Sequence, residues 1–293
     1  MSFLSYLITG LSLGSVYAII ALGYTMVYGI AKMLNFAHGD VIMVGAYVSF
    51  LAIGKYDTPA LVACLLSVFA CTILGVLIER LAYKPLRSAP SLAVLITAIG
   101  VSYFLQNSAQ LLWGTDTKVF PAMLGTNQLV LFNGELMISY VTIATIVACI
   151  IIMTVLTLFI NKTKIGKAMR ACSEDKGAAQ LMGINVDNTI SITFAIGSGL
   201  AAIASVLLCT AYPALNPTLG SMPGIKAFTA AVFGGIGSIP GAFIGGLMLG
   251  ILETFSIVYI SSQLSDAIVF GVLIIVLLLR PTGLLGKKIR VKV

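Results

Sequence analysis

The sequence predicts an all-α, polytopic membrane protein, and three observations carry that expectation. Of 293 residues, 59% are hydrophobic and only 9% are charged, whereas a soluble domain carries about 25% charge. Mean hydropathy is +1.07. Charge-free windows recur at 3–30, 41–54, 58–78, 88–115, 136–160, 188–225 and 227–252, and a bilayer span needs about 20 apolar residues. This pattern argues against a soluble enzyme, a disordered chain or a nucleic-acid binder. It also argues against a transmembrane barrel, whose strands would alternate in hydrophobicity. A single transmembrane domain, 1–293, is expected.

About eight transmembrane helices follow, near 3–30, 37–54, 59–79, 90–112, 138–160, 189–212, 226–257 and 260–280. The first opens without a basic n-region or a small-residue cleavage site, so it reads as a retained span rather than a signal peptide. Charge location then sets sidedness. Thirteen of the 17 Lys and Arg fall in three clusters: Arg80, Lys84 and Arg87; Lys162, Lys164, Lys167, Arg170 and Lys176; and Arg280, Lys287, Lys288, Arg290 and Lys292. The positive-inside rule makes all three cytoplasmic. The third helix therefore ends inside, 113–135 is an outside loop, 161–187 is the largest cytoplasmic loop, and the C-terminus is cytoplasmic. The uncharged N-terminus leaves its own orientation open.

Parity adds a constraint. The chain is outside near 212–225 and inside at Arg280, and the helix at 260–280 supplies one crossing. The segment 226–257 must then enter and return as a broken, re-entrant hairpin. Its break is Gly234-Gly235-Ile236-Gly237-Ser238-Ile239-Pro240-Gly241, with four glycines and a proline in eight residues, which a helix interior does not sustain. Irregular backbone at membrane depth must be buried in protein or line a wet cavity. Solute sites in membrane proteins cluster near such interruptions.

The first half offers a counterpart, the polar patch Asn35-Phe36-Ala37-His38-Gly39-Asp40 between two apolar helices. The pairing predicts two related halves, 1–90 and 188–293. Asn35, His38 and Asp40 have two readings. They line a pathway, or Asn35 caps a helix beginning near Phe36 while Asp40 complements its dipole. Gly234, Gly235, Gly237 and Pro240 likewise form a constriction, let helices pack closely, or do both. Glu253 and Asp266 are expected at the external boundary.

No catalytic chemistry is expected. The chain has no G-x-x-x-x-G-K-[ST] loop, a single histidine, His38, and no metal-ligand spacing. Its five cysteines read as small packing residues. The loop 161–187 favours helix and mixes charge with apolar residues. Ser173 would cap a short helix with Glu174 and Asp175 in its first turn. Ala178, Ala179, Leu181 and Met182 would give that helix an apolar side suited to a groove on a cytoplasmic partner, with the lipid surface as the alternative.

These residues carry a resemblance. Ala178-Ala179-Gln180-Leu181-Met182-Gly183 is similar to the E-A-A-x-x-x-G loop of ABC-importer permeases, although Gly177 stands where that loop has Glu and the acids are Glu174 and Asp175. A closer similarity, over nearly the whole chain, is to branched-chain amino acid permeases of the LivH type. It rests on Gly14-Ser-Val-Tyr-Ala-Ile-Ile-Ala-Leu-Gly23, Asn35-Phe-Ala-His-Gly-Asp40, Arg170-Ala171 through Gly183, Phe233-Gly-Gly-Ile-Gly-Ser-Ile-Pro-Gly-Ala242 and Arg280-Pro-Thr-Gly-Leu-Leu-Gly286. The resemblance implies a bacterial inner-membrane conduit for Leu, Ile and Val. It implies a second permease subunit (LivM-like or a second copy) and two cytoplasmic ATPases, which bind the ATP and Mg that this chain does not. It also implies a periplasmic or lipid-anchored solute-binding protein. Arg170, Glu174, Asp175, Ala178, Ala179 and Gly183 would form the ATPase-coupling loop. Related permeases carry urea, amides or other amino acids, so those solutes remain alternatives. An ion-coupled transporter acting alone is the rival mechanism; it would place carboxylates mid-span, and the windows at 3–30, 58–78, 88–115 and 136–160 hold none.

Overall fold

The computed structural model describes residues 2–87, 89–123, 128–131 and 136–286. Lys287, Lys288, Arg290 and Lys292 of the third basic cluster lie outside the described residues. The helices are α1 (Ser2–Ala31), α2 (His38–Tyr56), α3 (Ala60–Ile78), α4 (Ser91–Trp113), α5 (Tyr140–Lys162), α6 (Lys164–Glu174), α7 (Lys176–Leu181), α8 (Val186–Ala211), α9 (Ser221–Gly234), α10 (Ile239–Tyr259) and α11 (Ser265–Leu279). α3 continues through a π turn, Glu79–Tyr83, and a 3-10 turn, Lys84–Leu86. Two short antiparallel strand pairs lie at one end of the bundle: β1 (Lys118–Val119) with β4 (Ala214–Leu215), and β2 (Gln128–Leu131) with β3 (Leu136–Ser139). Among the described residues, seven helices are long and apolar enough to cross a bilayer: α1, α2, α3, α4, α5, α8 and α10. α9, with 14 residues, and α11, with 15, are shorter. The expected all-α architecture is present, with a span count close to eight.

α1 and α8 form the centre, and their midsections are buried on every side. α4 and α5 instead turn Tyr103, Phe104, Leu111, Ile150, Ile151 and Val155 outward, as helices facing lipid do. α1 runs antiparallel to α10. Phe3 stacks on Phe255 at one end, with ring centroids 5.3 Å apart, and Tyr6 meets Tyr259 edge-on at 6.2 Å. Beyond this aromatic end, Gly10, Gly14 and Ala18 face Gly246 and Gly250. A methyl group on Gly14 would sit 2.7 Å from the Leu247 carbonyl oxygen, and one on Gly250 would land on the Gly14 backbone. Lipid tails are as apolar as leucine, so helices in a bilayer associate through such close backbone contact rather than through the hydrophobic effect.

Two helices start inside the bundle rather than at its surface. After Lys32 the chain doubles back, so that His38 packs on Tyr24 with ring centroids 4.6 Å apart, beside Gly23. Eight residues of helix separate Gly23 from the end of α1, a depth of ~12 Å. α9 also starts internally, with Gly220 and Gly224 against Gly39. The N-termini of α2 and α9 therefore abut. The sequence reading leaves 212–225 as an outside loop and starts the hairpin at 226, whereas α9 begins at Ser221. Pro223 does not prevent this, because the first turn of a helix lacks backbone partners anyway.

The α9–α10 hairpin is present as expected. The two helices run antiparallel, with Gly245 against the Ala230 carbonyl and Gly234 against Gly241. The break is narrower than the eight residues predicted. Gly234 and Gly241 are helical, and only 235–238 is irregular, with positive φ at Gly235 (106°) and Gly237 (91°). Pro240 lies in the first turn of α10 and starts that helix rather than breaking it. The Ser238 hydroxyl accepts from the Gly241 N–H at 3.2 Å as the N-cap. The segment after α11 closes the hairpin: the N–H groups of Leu284 and Leu285 donate to the carbonyls of Phe233 and Gly234, each at 2.9 Å. These carbonyls end α9 and have no intrahelical partner.

Replacing Gly250 with Leu forces α1 and α10 apart, an overpacking error that typically costs about 1–3 kcal/mol and at backbone contact more. We expect a lower thermal midpoint and lower yield of detergent-solubilised protein. Gly54→Ala, which faces open space, serves as the neutral control.

Candidate functional site

The two irregular segments meet. Met33, Leu34 and Asn35 from the first half and Ile236 from the second border one cavity, lined also by Tyr24, Tyr28, His38 and Phe228 among others. The cavity leaves about 10 Å³ for the centre of a water molecule, the room one water needs. Its walls are mostly aromatic and aliphatic. Phe36 and Tyr24 both pack on Phe228, at 5.6 and 5.8 Å. Of the residues singled out from sequence, Asn35 and His38 border this cavity. Ile236, which the sequence reading passed over, borders it as well. Gly237 stands beside it against Gly29. Gly234, Gly235 and Pro240 lie outside the lining; Gly235 packs against Gly283 and Gly286 of the closing segment.

Each polar group at the site has a definite setting. Asn35 does not cap α2, whose N-cap is Ala37 without a side-chain bond. Its Oδ1 accepts from the Tyr83 hydroxyl at 2.9 Å, so it ties the first break to the end of α3. His38 is buried, and no hydrogen bond is made to its Nε2. Gly23 makes room for the ring, since a methyl group there would lie 2.6 Å from that nitrogen. Asp40 sits in the first turn of α2, where the helix dipole favours an anion. Its Oδ1 accepts from Gln106 Nε2 at 2.8 Å, and the same nitrogen reaches the Ser221 hydroxyl at 3.3 Å. One amide of α4 thus spans the starts of both internal helices.

Sequence reasoning missed a second buried polar cluster. Lys226 of α9 donates to Glu253 of α10 and pairs with Asp266 of α11, each at 2.7 Å. Glu253 is buried in the bundle, where it neutralises a lysine enclosed by the hairpin. The signal was available: an isolated Lys226 inside an apolar segment needs an anionic partner. A third network joins the end of α3 to the start of α8. Arg87 bridges Glu79 and Asp187, Lys84 reaches Asp187 at 3.0 Å, and Ser191 donates to Glu79 at 2.6 Å. Among the described residues, no group of three or more His, Cys, Asp or Glu is placed to hold a metal ion.

The loop 161–187 folds as two helices rather than one. Thr163 caps α6 by accepting from the Gly166 N–H at 3.0 Å, and the cap of α7 is Asp175 rather than Ser173. Ser173 lies within α6, and Cys172 is buried there. Arg170 Nη1 approaches Asn161 Oδ1 at 3.4 Å, and Glu174 ends the helix. Asp175 begins α7, its Oδ1 accepting from the Ala178 N–H at 3.0 Å. The apolar side splits. Ala179 is buried against the bundle, whereas Leu181 and Met182 are 90% and 83% exposed. Gly183 adopts φ 83° and ends α7, donating to the Gln180 carbonyl at 3.0 Å, a left-handed C-terminal stop that favours glycine.

A lipid-facing helical shell, internally starting half-helices and a cavity where two breaks meet define a polytopic membrane protein. Its relatives make the chain the membrane component of a transporter. Comparison with known proteins gives the particular family. Residues 6–277 match the family model described as the permease component of the branched-chain amino acid transport system, and the chain belongs to that family. It is 48% identical to the high-affinity branched-chain amino acid transport system permease protein BraD of Pseudomonas aeruginosa, over 97% of this chain and 96% of that protein. It is 47% identical to LivH of Escherichia coli K12 over the same shares. A probable branched-chain amino acid permease, LivH of Methanocaldococcus jannaschii, is 30% identical over 92% of this chain and 88% of that protein.

Tyr83→Phe would leave the buried Asn35 oxygen without its donor, at a cost of about 1–3 kcal/mol. The expected result is a lower thermal midpoint for the purified protein, with its helical content unchanged.

Proposed function

We propose that this chain forms the translocation path of an ATP-driven importer of Leu, Ile and Val. The similarity to BraD and LivH over nearly the full length of both chains carries this reading. The path runs past the two breaks, with Asn35, His38 and Ile236 on its wall. Asp40 holds the internal helix starts in register, and Gly234, Gly235, Gly237 and Pro240 shape the turn below. The cavity is closed to anything larger than water, so passage of an amino acid requires the two breaks to separate. An apolar lining with few polar groups suits a conduit that holds its solute weakly, leaving selectivity to a periplasmic or lipid-anchored binding protein.

The energy comes from outside the chain. Two cytoplasmic ATPases carry ATP and Mg, and a LivM-like permease or a second copy of this chain completes the path. The ATPases dock on α6 and α7 around Arg170, Glu174, Asp175, Ala178, Ala179 and Gly183. Leu181 and Met182 support this placement, being large apolar side chains exposed on a short helix flanked by lysines and arginines. The basic clusters of the sequence, read by the positive-inside rule, support a cytoplasmic side for that loop and for the C-terminus, in the inner membrane of a bacterial cell. An ion-coupled mechanism would need free buried carboxylates, whereas Asp40, Glu79 and Glu253 are each held by a protein partner.

The direct test is leucine-dependent ATP hydrolysis by the assembled complex in proteoliposomes, with urea and acetamide as comparison solutes. Leucine uptake by the permease without any ATPase would refute the reading. Leu181→Glu places a charge on the docking face and should reduce co-purification of the ATPases about tenfold, an ordinary interface-anchor effect, without altering membrane insertion. Undiminished co-purification would move the docking site elsewhere.

A further inference from the structure

One side chain joins the cytoplasmic-type helices to the cavity wall. Lys176 opens α7 and extends across to α1, where its ammonium donates to the Ala31 carbonyl oxygen at 2.6 Å. Ala31 is the last residue of α1. Its carbonyl is among those a helix terminus leaves without an intrahelical partner, at the negative end of the helix dipole. A charged donor makes such a bond short and strong. Immediately beyond, Lys32 takes a left-handed conformation, φ 58°, and Met33, Leu34 and Asn35 line the cavity. Asn35 in turn accepts from Tyr83. The route from α7 to the cavity is therefore one hydrogen bond and two covalent steps.

The setting of this lysine is unlike that of a structural ion pair. Its hydrogen-bond acceptor is a neutral carbonyl. The nearest carboxylate in sequence, Asp175, is engaged in capping α7, while Arg87 is engaged with Glu79 and Asp187. Burial lowers the proton affinity of Lys176, and the neighbouring Arg87 and Lys32 charges lower it further. This directional bond holds the ammonium close to like charges, and a small displacement of α7 would break it. Ala179 locks α7 against the bundle three residues on, while Leu181 and Met182 face outward, so force applied to the outer face reaches Lys176 through one turn of helix.

We propose that Lys176 is the positioning residue that transmits movement of the coupling helices to the first break. Its bond to the Ala31 carbonyl holds residues 32–37 in the closed arrangement, and displacement of α7 releases them. This rests on the ATP-driven reading above, and the experiment separates the two. Wild-type, Lys176→Met, Lys176→Gln and Lys176→Arg complexes are assembled with both ATPases and the binding protein in proteoliposomes, and leucine uptake and ATP hydrolysis are measured together. In the Met and Gln variants the ATPases should still co-purify and hydrolyse ATP, while leucine moved per ATP should fall about tenfold, within the usual range of coupling energies. Lys176→Arg, which keeps a charged donor, should restore most of that ratio. Wild-type stoichiometry in Lys176→Met would overturn the proposal and leave the ATP-driven reading intact. Loss of the ATPases from both the Met and Gln complexes would make the lysine a structural clamp and overturn it too. A wild-type complex that hydrolyses ATP without moving leucine would refute the underlying reading, and the link with it.

Discussion

The bare backbone contact between α1 and α10 is the constraint on which the rest of the structure depends. In water, burying apolar surface would hold these helices together; in lipid that drive is absent, and van der Waals contact must replace it. Gly10, Gly14, Gly246 and Gly250 remove the side chains that would keep the two backbones apart. Once α1 and α10 are fixed, Gly29 comes to rest against Gly237, and the two irregular segments are delivered to the same place. The cavity is thus a consequence of glycine spacing on helices whose contact surface lies largely outside it.

The buried charges complement that contact. Each is placed where an element would otherwise be free to shift. Gln106 with Asp40 holds the two internal helix starts, Lys226 with Glu253 and Asp266 holds the half-length α9 against α10 and α11, and Arg87 with Glu79 and Asp187 holds α3 to α8. A buried pair is costly to break from one side because it strands the other charge. The pairs therefore define positions more than they add stability, a useful property in a bundle whose parts must stay in register around a closed path.

Much of the architecture was legible in the sequence because lipid imposes a simple grammar of long apolar runs and one-sided positive charge. Topological parity alone required the hairpin that α9 and α10 form. The details that escaped are those where local signals have two meanings. Pro223 and Gly224 read as loop, yet the first turn of a helix accepts both. Pro240 read as a breaker and is a starter. Asn35 read as a cap, but its partner, Tyr83, lies 48 residues away, beyond any local pattern. Ala179 and Leu181 read as one apolar face, although only the bundle could decide that one points inward and the other out. At the candidate site, Asn35 and His38 were identifiable as polar residues in an apolar setting. Ile236 carried no such contrast.

The order of contacts along the chain has a consequence for biosynthesis. α1 finds its principal partner only when α10 arrives, and the carbonyls that end α9 are satisfied by Leu284 and Leu285. Until then α1 must remain in the bilayer with its glycine face unmatched, and the hairpin must remain uncapped. The central contact of this bundle therefore closes late in the order of the chain, after the helices that surround it.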